Sequence, residues 1–329
     1  MILAGDIGGT KTVLSLLEKG ADGLMNCALE RTFASAEYDS FDEILDLFLP
    51  GDIQIDSACF GVAGPVVEQR CFATNLSWIL DGQELKSKLG TERVRLLNDL
   101  EAMAVGMLHL DPDDFIELNP AAEPQTGNIA VIAAGTGLGE AILYWDGKQH
   151  HPIATEGGHG SFAPQNAQQD LLLQFLRRRY PQHVSYERIL SGKGFSHLYD
   201  FLLEYQFAPP CPAVPSVDSV QVSGIDRNAV ISRLGINGED VLCSEAVRLF
   251  VEIYGAEAGN LVLKSFATGG VFIGGGIGPK IRSALEAGDF MQAFAAKGRF
   301  QTLLGRMSVK LALNPRTPLI GAAHYFQAD

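Results

Sequence analysis

Two distant stretches of this chain follow one design. Residues 3–17, LAGDIGGTKTVLSLL, run as an apolar segment, an acid, a glycine turn and a second apolar segment. Residues 128–147, NIAVIAAGTGLGEAILYWDG, give an apolar segment, a Gly-Thr-Gly turn and another apolar segment. A second echo follows each: CFGVAGP at 59–65 returns as FIGGGIGP at 272–279, a buried strand, a glycine turn and a proline. Such self-similarity reads as an internal duplication, two α/β halves of βββαβαβα type that each present a glycine turn to a shared cleft. Asp6 and Thr136 are then expected on opposite walls of one site.

Intervening segments agree with that reading. DSACFGVAGP has the continuous apolar character of a buried strand, while SFDEILDLFL and DGQELKSKLG carry helical spacing, with Ser40 and Asp81 as N-caps. RVRLLNDLEAMAVGML predicts a strand ending near Leu97 and a helix starting close to Asp99. The Pro- and Asp-rich DPDDFIELNPAAEPQTG reads as a crossover between domains, and PLIGAAHYFQ as a final helix packing back on the first. The predicted domains are 1–109 plus 314–329, and 110–313.

Composition removes several function classes. At 329 residues, 47% hydrophobic, the chain is long enough for two packed cores. A formal net charge of −14 repels nucleic-acid phosphates, and the only basic run is the short Arg177–Arg179. No apolar stretch approaches the roughly 18 residues of a membrane helix, so neither a nucleic acid nor a membrane is expected as partner, and a cytoplasmic location is. The five cysteines, Cys27, Cys59, Cys71, Cys211 and Cys243, form no CxxC pair, which fits buried thiols in a reducing compartment and no structural zinc.

The glycine turns carry the chemistry. Amides around Gly8–Thr10 and Gly135–Gly139 can cradle phosphate oxygens because glycine lets the main chain approach closely, and Thr10 and Thr136 add hydroxyls. Asp6, held beside such a turn, suits Mg²⁺ bound through water; a plain surface hairpin is the competing account. Neither GxxxxGK[ST] nor a strict GxGxxG is present, so the other common phosphate sites lose support. In LLNDLEA, Asn98 and Asp99 stand where a strand meets a helix; Asp99 can be a general base for a hydroxyl or simply the helix cap. Glu156 and His159 of EGGHGSFAP sit in a stretch too polar for a core and point to a ligand, with one histidine and two acids a poor zinc set. Glu187 in YERILSGKG is open between a ligand and a helix-face carboxylate.

Taken together, GDIGGTKT, LLNDLEA, AAGTGLG, EGGHGSFAP, YERILSGKG and GGVFIGGGIGP, in this order across nearly the whole chain, resemble the bacterial glucokinases of the actin/hexokinase-like sugar kinase superfamily. The resemblance implies that Asp99 is the catalytic base. It implies that Asn98, Asp99, Glu156, His159 and Glu187 bind glucose, and that Gly5, Asp6, Ile7, Gly8, Gly9 and Thr10, with Thr136, Gly137 and Gly275, bind ATP, the adenine lying near the Gly274–Gly276 turn. Transfer of the γ-phosphoryl of ATP to the glucose 6-hydroxyl, with Mg²⁺, is the expected reaction, and a homodimer the expected assembly. A kinase for another hexose or an N-acetyl amino sugar is the alternative enzyme. A sugar-sensing regulator is the non-enzymatic one, disfavoured by the acidic charge and the phosphate turn starting at Gly5. Lys11 stands where related glucokinases often carry Asn, which leaves its contact with phosphate open. The cysteine-rich zinc motif of the related repressor branch is absent.

Overall fold

The computed structural model describes residues 1–20, 25–51, 53–73, 76–216 and 224–327. Two compact units divide the chain, Met1–Asp114 with Asp146–Ala154 and Asn314–Asp329, and Phe115–Trp145 with Thr155–Leu313. These differ from the sequence-predicted boundaries in two places. The first unit takes in 110–114, and it gains Asp146–Ala154 because the strand β12 (His150–Ala154) packs against the helix that begins at Asp99.

In the first unit, β1 (Ile2–Ile7), β2 (Lys11–Lys19), β3 (Met25–Ala34), β4 (Ser57–Val62) and β8 (Val94–Asn98) form one sheet in the order β3-β2-β1-β4-β8. β1 and β2 are an antiparallel hairpin, whereas β1, β4 and β8 run parallel. Every residue of β4 is buried, as a central strand covered on both faces requires. The helices α1 (Phe41–Phe48) and α2 (Gly82–Leu89) start on the predicted caps: Ser40 accepts from Glu43 N at 3.4 Å and Asp81 from Gln83 N at 2.8 Å. Short strands β5 (Val66–Val67), β6 (Arg70–Phe72) and β7 (Ile79–Asp81) make a small separate sheet. α3 (Asp99–Met107) is pinned by the helix Thr317–His324, which returns to this unit as its sequence predicted; Leu97, Ala102, Leu319, Ala322 and Ala323 share one buried cluster.

The second unit repeats the start of that scheme. β9 (Phe115–Glu117), β10 (Ile129–Ala134), β11 (Leu138–Trp145), β13 (Gly270–Gly274) and β14 (Val309–Ala312) run in the order β11-β10-β13-β14-β9. β10 and β11 form an antiparallel hairpin in which Ala134 faces Leu138, and β10, β13 and β14 are parallel. Several helices stand between β11 and β13 where the first unit has one between β3 and β4, so this repeat is expanded. The largest of them, Val241–Ser265, buries Phe250, Tyr254 and Leu261 against a core that also holds Phe195, Phe290 and Phe294.

Candidate functional site

In the first unit the candidate residues gather at the carboxyl edge of the parallel strands, where ligands of open α/β sheets bind. Strand ends are in register there: Ile7 pairs with Val62 and Val62 with Asn98, and one step back Asp6 pairs with Gly61 and Gly61 with Leu97. Asp6 is therefore a ladder residue beside the turn. Its neighbours Gly5 and Ile7 are ladder residues too, and a Cβ on Gly5 would lie 2.6 Å from Phe60 Cδ1, so Gly5 serves packing and the reversal itself is Gly8–Thr10. Burial raises the Asp6 pKa above the ordinary carboxyl value, partly offset by the Lys11 ammonium.

The turn is held from both sides. Gly8 N donates to Lys11 O at 3.0 Å, and Ser35 N donates to Thr10 O at 3.2 Å. The Ser35 hydroxyl donates to Gly8 O at 2.7 Å and lies 3.0 Å from the buried Thr12 hydroxyl. Among the described residues the amides of Gly9 and Thr10 meet no protein acceptor, so the clamp leaves two backbone donors of the turn without a protein partner. Ser35, itself fully buried, was invisible to motif reading.

At the β8–α3 junction the cap is Asn98, not Asp99. Asn98 Oδ1 accepts from Leu100 N at 2.9 Å, Glu101 Oε2 accepts from Asn98 N at 2.9 Å, and Asn98 Nδ2 donates to Gly64 O at 3.0 Å. Asp99, half-buried, is the first helical residue, with Oδ1 2.9 Å from Leu100 N. A carboxylate at this position faces the positive end of α3.

In the second unit the Gly135–Gly137 turn closes on itself, Gly135 N to Gly137 O at 2.8 Å, and is buttressed from the YERILSGKG segment. Gly192 N donates to Gly135 O at 2.9 Å, and Glu187 Oε2 accepts from Leu138 N at 3.1 Å. Glu187 lies on a 3-10 turn, Tyr186–Arg188, not on the face of an α-helix. Glu156 precedes the 3-10 turn Gly157–His159 and His159 ends it, and both are exposed. This loop is laced to the Glu187 segment: Tyr186 N donates to Gly160 O at 3.0 Å, Phe162 N to Val184 O at 2.9 Å, and the His183 ring lies 2.8 Å from His159 O. Gly275 has φ +82°, and the loop after β13 folds over the end of β10 through Ile277 N to Ala134 O at 3.1 Å. Thus Asp6, the Gly8–Thr10 turn, Asn98 and Asp99 meet on the first unit, and Thr136, Gly137, Glu156, His159, Glu187 and Gly275 on the second.

Two features escaped sequence reading besides Ser35. Glu140, on β11 beneath Gly157, is 1% exposed, and burial together with the nearby Glu257 carboxylate lifts its pKa to about 8. Cys211, Asp240 and Cys243 bring ligand atoms within 4.8 Å of one another. Asp240 there caps the helix Val241–Ser265 through Cys243 N at 2.9 Å, and three donors fall short of the four a structural zinc takes. No helix among the described residues is long and apolar enough to cross a membrane.

Residues 3–329 match the family model for glucokinase. A glucokinase of Synechocystis sp. is 38% identical, the alignment covering 98% of this chain and 96% of the relative. The crystal structure of a glucokinase from an Antarctic psychrotroph superposes with a TM-score of 0.85 at 31% identity, covering 100% of this chain and 99% of that one. A glucokinase from Balamuthia mandrillaris, solved in complex with glucose, shares the fold with a TM-score of 0.77 at 22% identity, over 98% of this chain and 92% of that one.

Proposed function

The chain belongs to the glucokinase family, and we propose that it moves the γ-phosphoryl of ATP to the 6-hydroxyl of glucose with Asp99 as the base. One observation carries the assignment of Asp99: Asn98 and Glu101 complete the cap of α3, so the helix start has its capping box without a catalytic role being taken from Asp99. The hydroxyl proton passes to the Asp99 carboxylate while the O6–P bond forms and the bond from phosphorus to the ADP oxygen breaks.

The other residues divide the work of binding. Amides of Gly9 and Thr10 and the Thr10 hydroxyl take phosphate oxygens, and the Gly135–Gly137 turn with Thr136 takes others. The loop around Gly275 receives the adenine. Asn98, Glu156, His159 and Glu187 hold the sugar hydroxyls, and the lacing of the Glu156–His159 loop to the Glu187 segment supports their acting together. Because the transferred group needs little covalent help, positioning and charge are what these residues supply.

A magnesium ion suits Asp6. Its half-buried carboxylate receives no hydrogen bond among the described residues, its pKa is raised by desolvation, and a single carboxylate with water and phosphate oxygens is the donor set that this hard cation prefers. When bound, the ion neutralises phosphate charge. The reading also carries a cytoplasmic location and a homodimer in solution, and light scattering that returned a monomer mass would refute the latter.

The Asp99→Asn variant tests the assignment. It keeps the shape of the side chain but cannot accept the proton, so kcat is expected to fall by about 10²–10⁴-fold while the glucose dissociation constant, read by calorimetry, stays near wild type. A variant retaining more than about a tenth of wild-type kcat would remove Asp99 from the role of base.

A further inference from the structure

Beneath the loops that carry Glu156, His159 and Glu187 lies a buried polar cluster with no part in the reaction just described. Glu140 projects from β11 and Glu257, 0% exposed, from the helix Val241–Ser265, and the two carboxyls face each other in the core. Glu140 touches the first loop: a Cβ on Gly157 would lie 2.0 Å from Glu140 Oε2, and the Glu140 carbonyl accepts from Thr155 Oγ1 at 2.8 Å, which in turn accepts from Gly157 N at 3.1 Å. Glu257 reaches the second through Asn260, whose Nδ2 donates to Glu257 Oε2 at 2.8 Å and to the Tyr186 hydroxyl at 3.1 Å, and Tyr186 immediately precedes Glu187. Two carboxyls placed together in a core, each against a different loop of the same candidate site, need a reason for being there.

We propose that Glu140 and Glu257 are positioning residues for the sugar: a proton held between their carboxyls ties the Gly157 turn to Tyr186 and so fixes Glu156, His159 and Glu187 relative to one another. The inference rests on the reading of those three residues as sugar ligands. The surroundings supply the charges such a pair needs. Glu257 Oε1 lies 3.1 Å from Lys264 Nζ, and its Oε2 accepts from Asn260 Nδ2 at 2.8 Å. Lys297, whose pKa is lowered by burial, donates to Asn260 Oδ1 at 2.7 Å. Tyr254, on the same helix as Glu257, has its hydroxyl pushed up by burial and by Glu140. These are the titratable groups facing the pair from β11, the Tyr186 turn, the long helix and the segment at Lys297. Glu140 Oε1 has no hydrogen-bond partner, so the proton that keeps this carboxyl neutral is what makes its burial tolerable.

The pH sense follows from the raised pKa. Below about 8 Glu140 is protonated and donates to Glu257; above it two carboxylates face each other, and the Gly157 turn and Tyr186 are pushed apart. The folded state keeps this proton while the unfolded chain releases it near 4.5, so stability attributable to Glu140 is present in acid and is lost as pH rises towards 8.

The test uses the full chain in three variants. Glu140→Ala is expected to raise the glucose KM about tenfold with kcat and the ATP KM within about twofold. Glu140→Gln, whose amide still donates to Glu257 but cannot ionise, should restore the glucose KM and abolish its rise between pH 7.5 and about 9 in the wild type. Glu187→Gln is the control for the underlying reading. If Glu187→Gln raises the glucose KM while folded Glu140→Ala does not, the positioning role is wrong and the sugar site stands. If Glu187→Gln has no effect, the sugar reading falls and the inference with it. A Glu140→Gln enzyme that keeps the wild-type pH rise overturns the shared proton even where Glu140→Ala raises KM.

Discussion

Replacing Ser35 by alanine should loosen the first phosphate turn without touching any residue of the motif. The Ser35 hydroxyl bridges Gly8 O at 2.7 Å and the Thr12 hydroxyl at 3.0 Å, and both Ser35 and Thr12 are 0% exposed. Removing it deletes two neutral hydrogen bonds, about 0.5–1.5 kcal/mol each net, and strands the Thr12 hydroxyl in a dry site; a loss of about 2–3 kcal/mol follows. In calorimetry that lowers the melting transition by roughly 3–4 °C for a chain of this length. Exchanging Thr12 for valine in the Ser35→Ala background removes the stranded group, so the double variant should recover about 1 kcal/mol, a non-additivity that a packing defect would not produce.

Function should separate from stability in the same pair. Both variants release Gly8 O, leaving the turn with only the Gly8 N to Lys11 O and Ser35 N to Thr10 O bonds, so the amides of Gly9 and Thr10 lose part of their preorganisation. One hydrogen bond of about 1 kcal/mol corresponds to roughly fivefold, and the ATP KM should rise by that factor in the single and the double variant alike. Glucose affinity, measured calorimetrically without nucleotide, should hold. An ATP KM at the wild-type value in a demonstrably destabilised Ser35→Ala protein would show that the clamp stabilises the hairpin without shaping the phosphate site, and strictly additive stabilities would refute the stranded hydroxyl.

Two further outcomes are expected. If Asp6 holds the cation as proposed, Asp6→Asn should raise the Mg²⁺ concentration for half-maximal velocity by at least about tenfold, while glucose binding stays near wild type; an unchanged magnesium titration would confine Asp6 to the strand ladder. Gly275→Ala should cost about 2 kcal/mol or more, because φ is +82° and the new Cβ would lie 2.3 Å from Ala134 O, whereas Gly276→Ala, with nothing within 4 Å, should change urea midpoints little; equal losses at the two positions would contradict this account.

What the sequence disclosed and what it withheld differ in physical kind. The elements that the spacing named, such as the helices after Ser40 and Asp81 and the strand that ends before Asp99, came within a few residues, because capping and amphipathic burial act locally, whereas the helices between β11 and β13 were not read from it. The duplicated hairpins were legible for the same reason: a glycine turn between apolar runs states its own geometry, and β1–β2 and β10–β11 carry it out. That Asp6 is a ladder residue beside the turn is decided by the hairpin register, which depends on pairing partners and not on the motif.

Ser35 and Glu140 required long-range register as well. Ser35 looks like any loop serine in FASAEYDS; only the pairing of Lys11 with Ala34, which ends β3 beside the turn, carries its hydroxyl to Gly8 O. Glu140 offered one faint signal, an acid in an otherwise apolar strand, on the face it shares with Leu138 and Ile142. Glu257 offered another, a lone carboxylate in a run of Gly, Ala, Leu and Val. Neither signal has meaning singly, since a lone acid in a strand or helix ordinarily faces water. Their significance arises when β11 and the long helix bring the two carboxyls together, and at that point burial, not proximity in sequence, sets the protonation of Glu140. Motif residues thus mark the groups that would touch ATP and sugar, while the groups that hold them in place are found only where the fold closes.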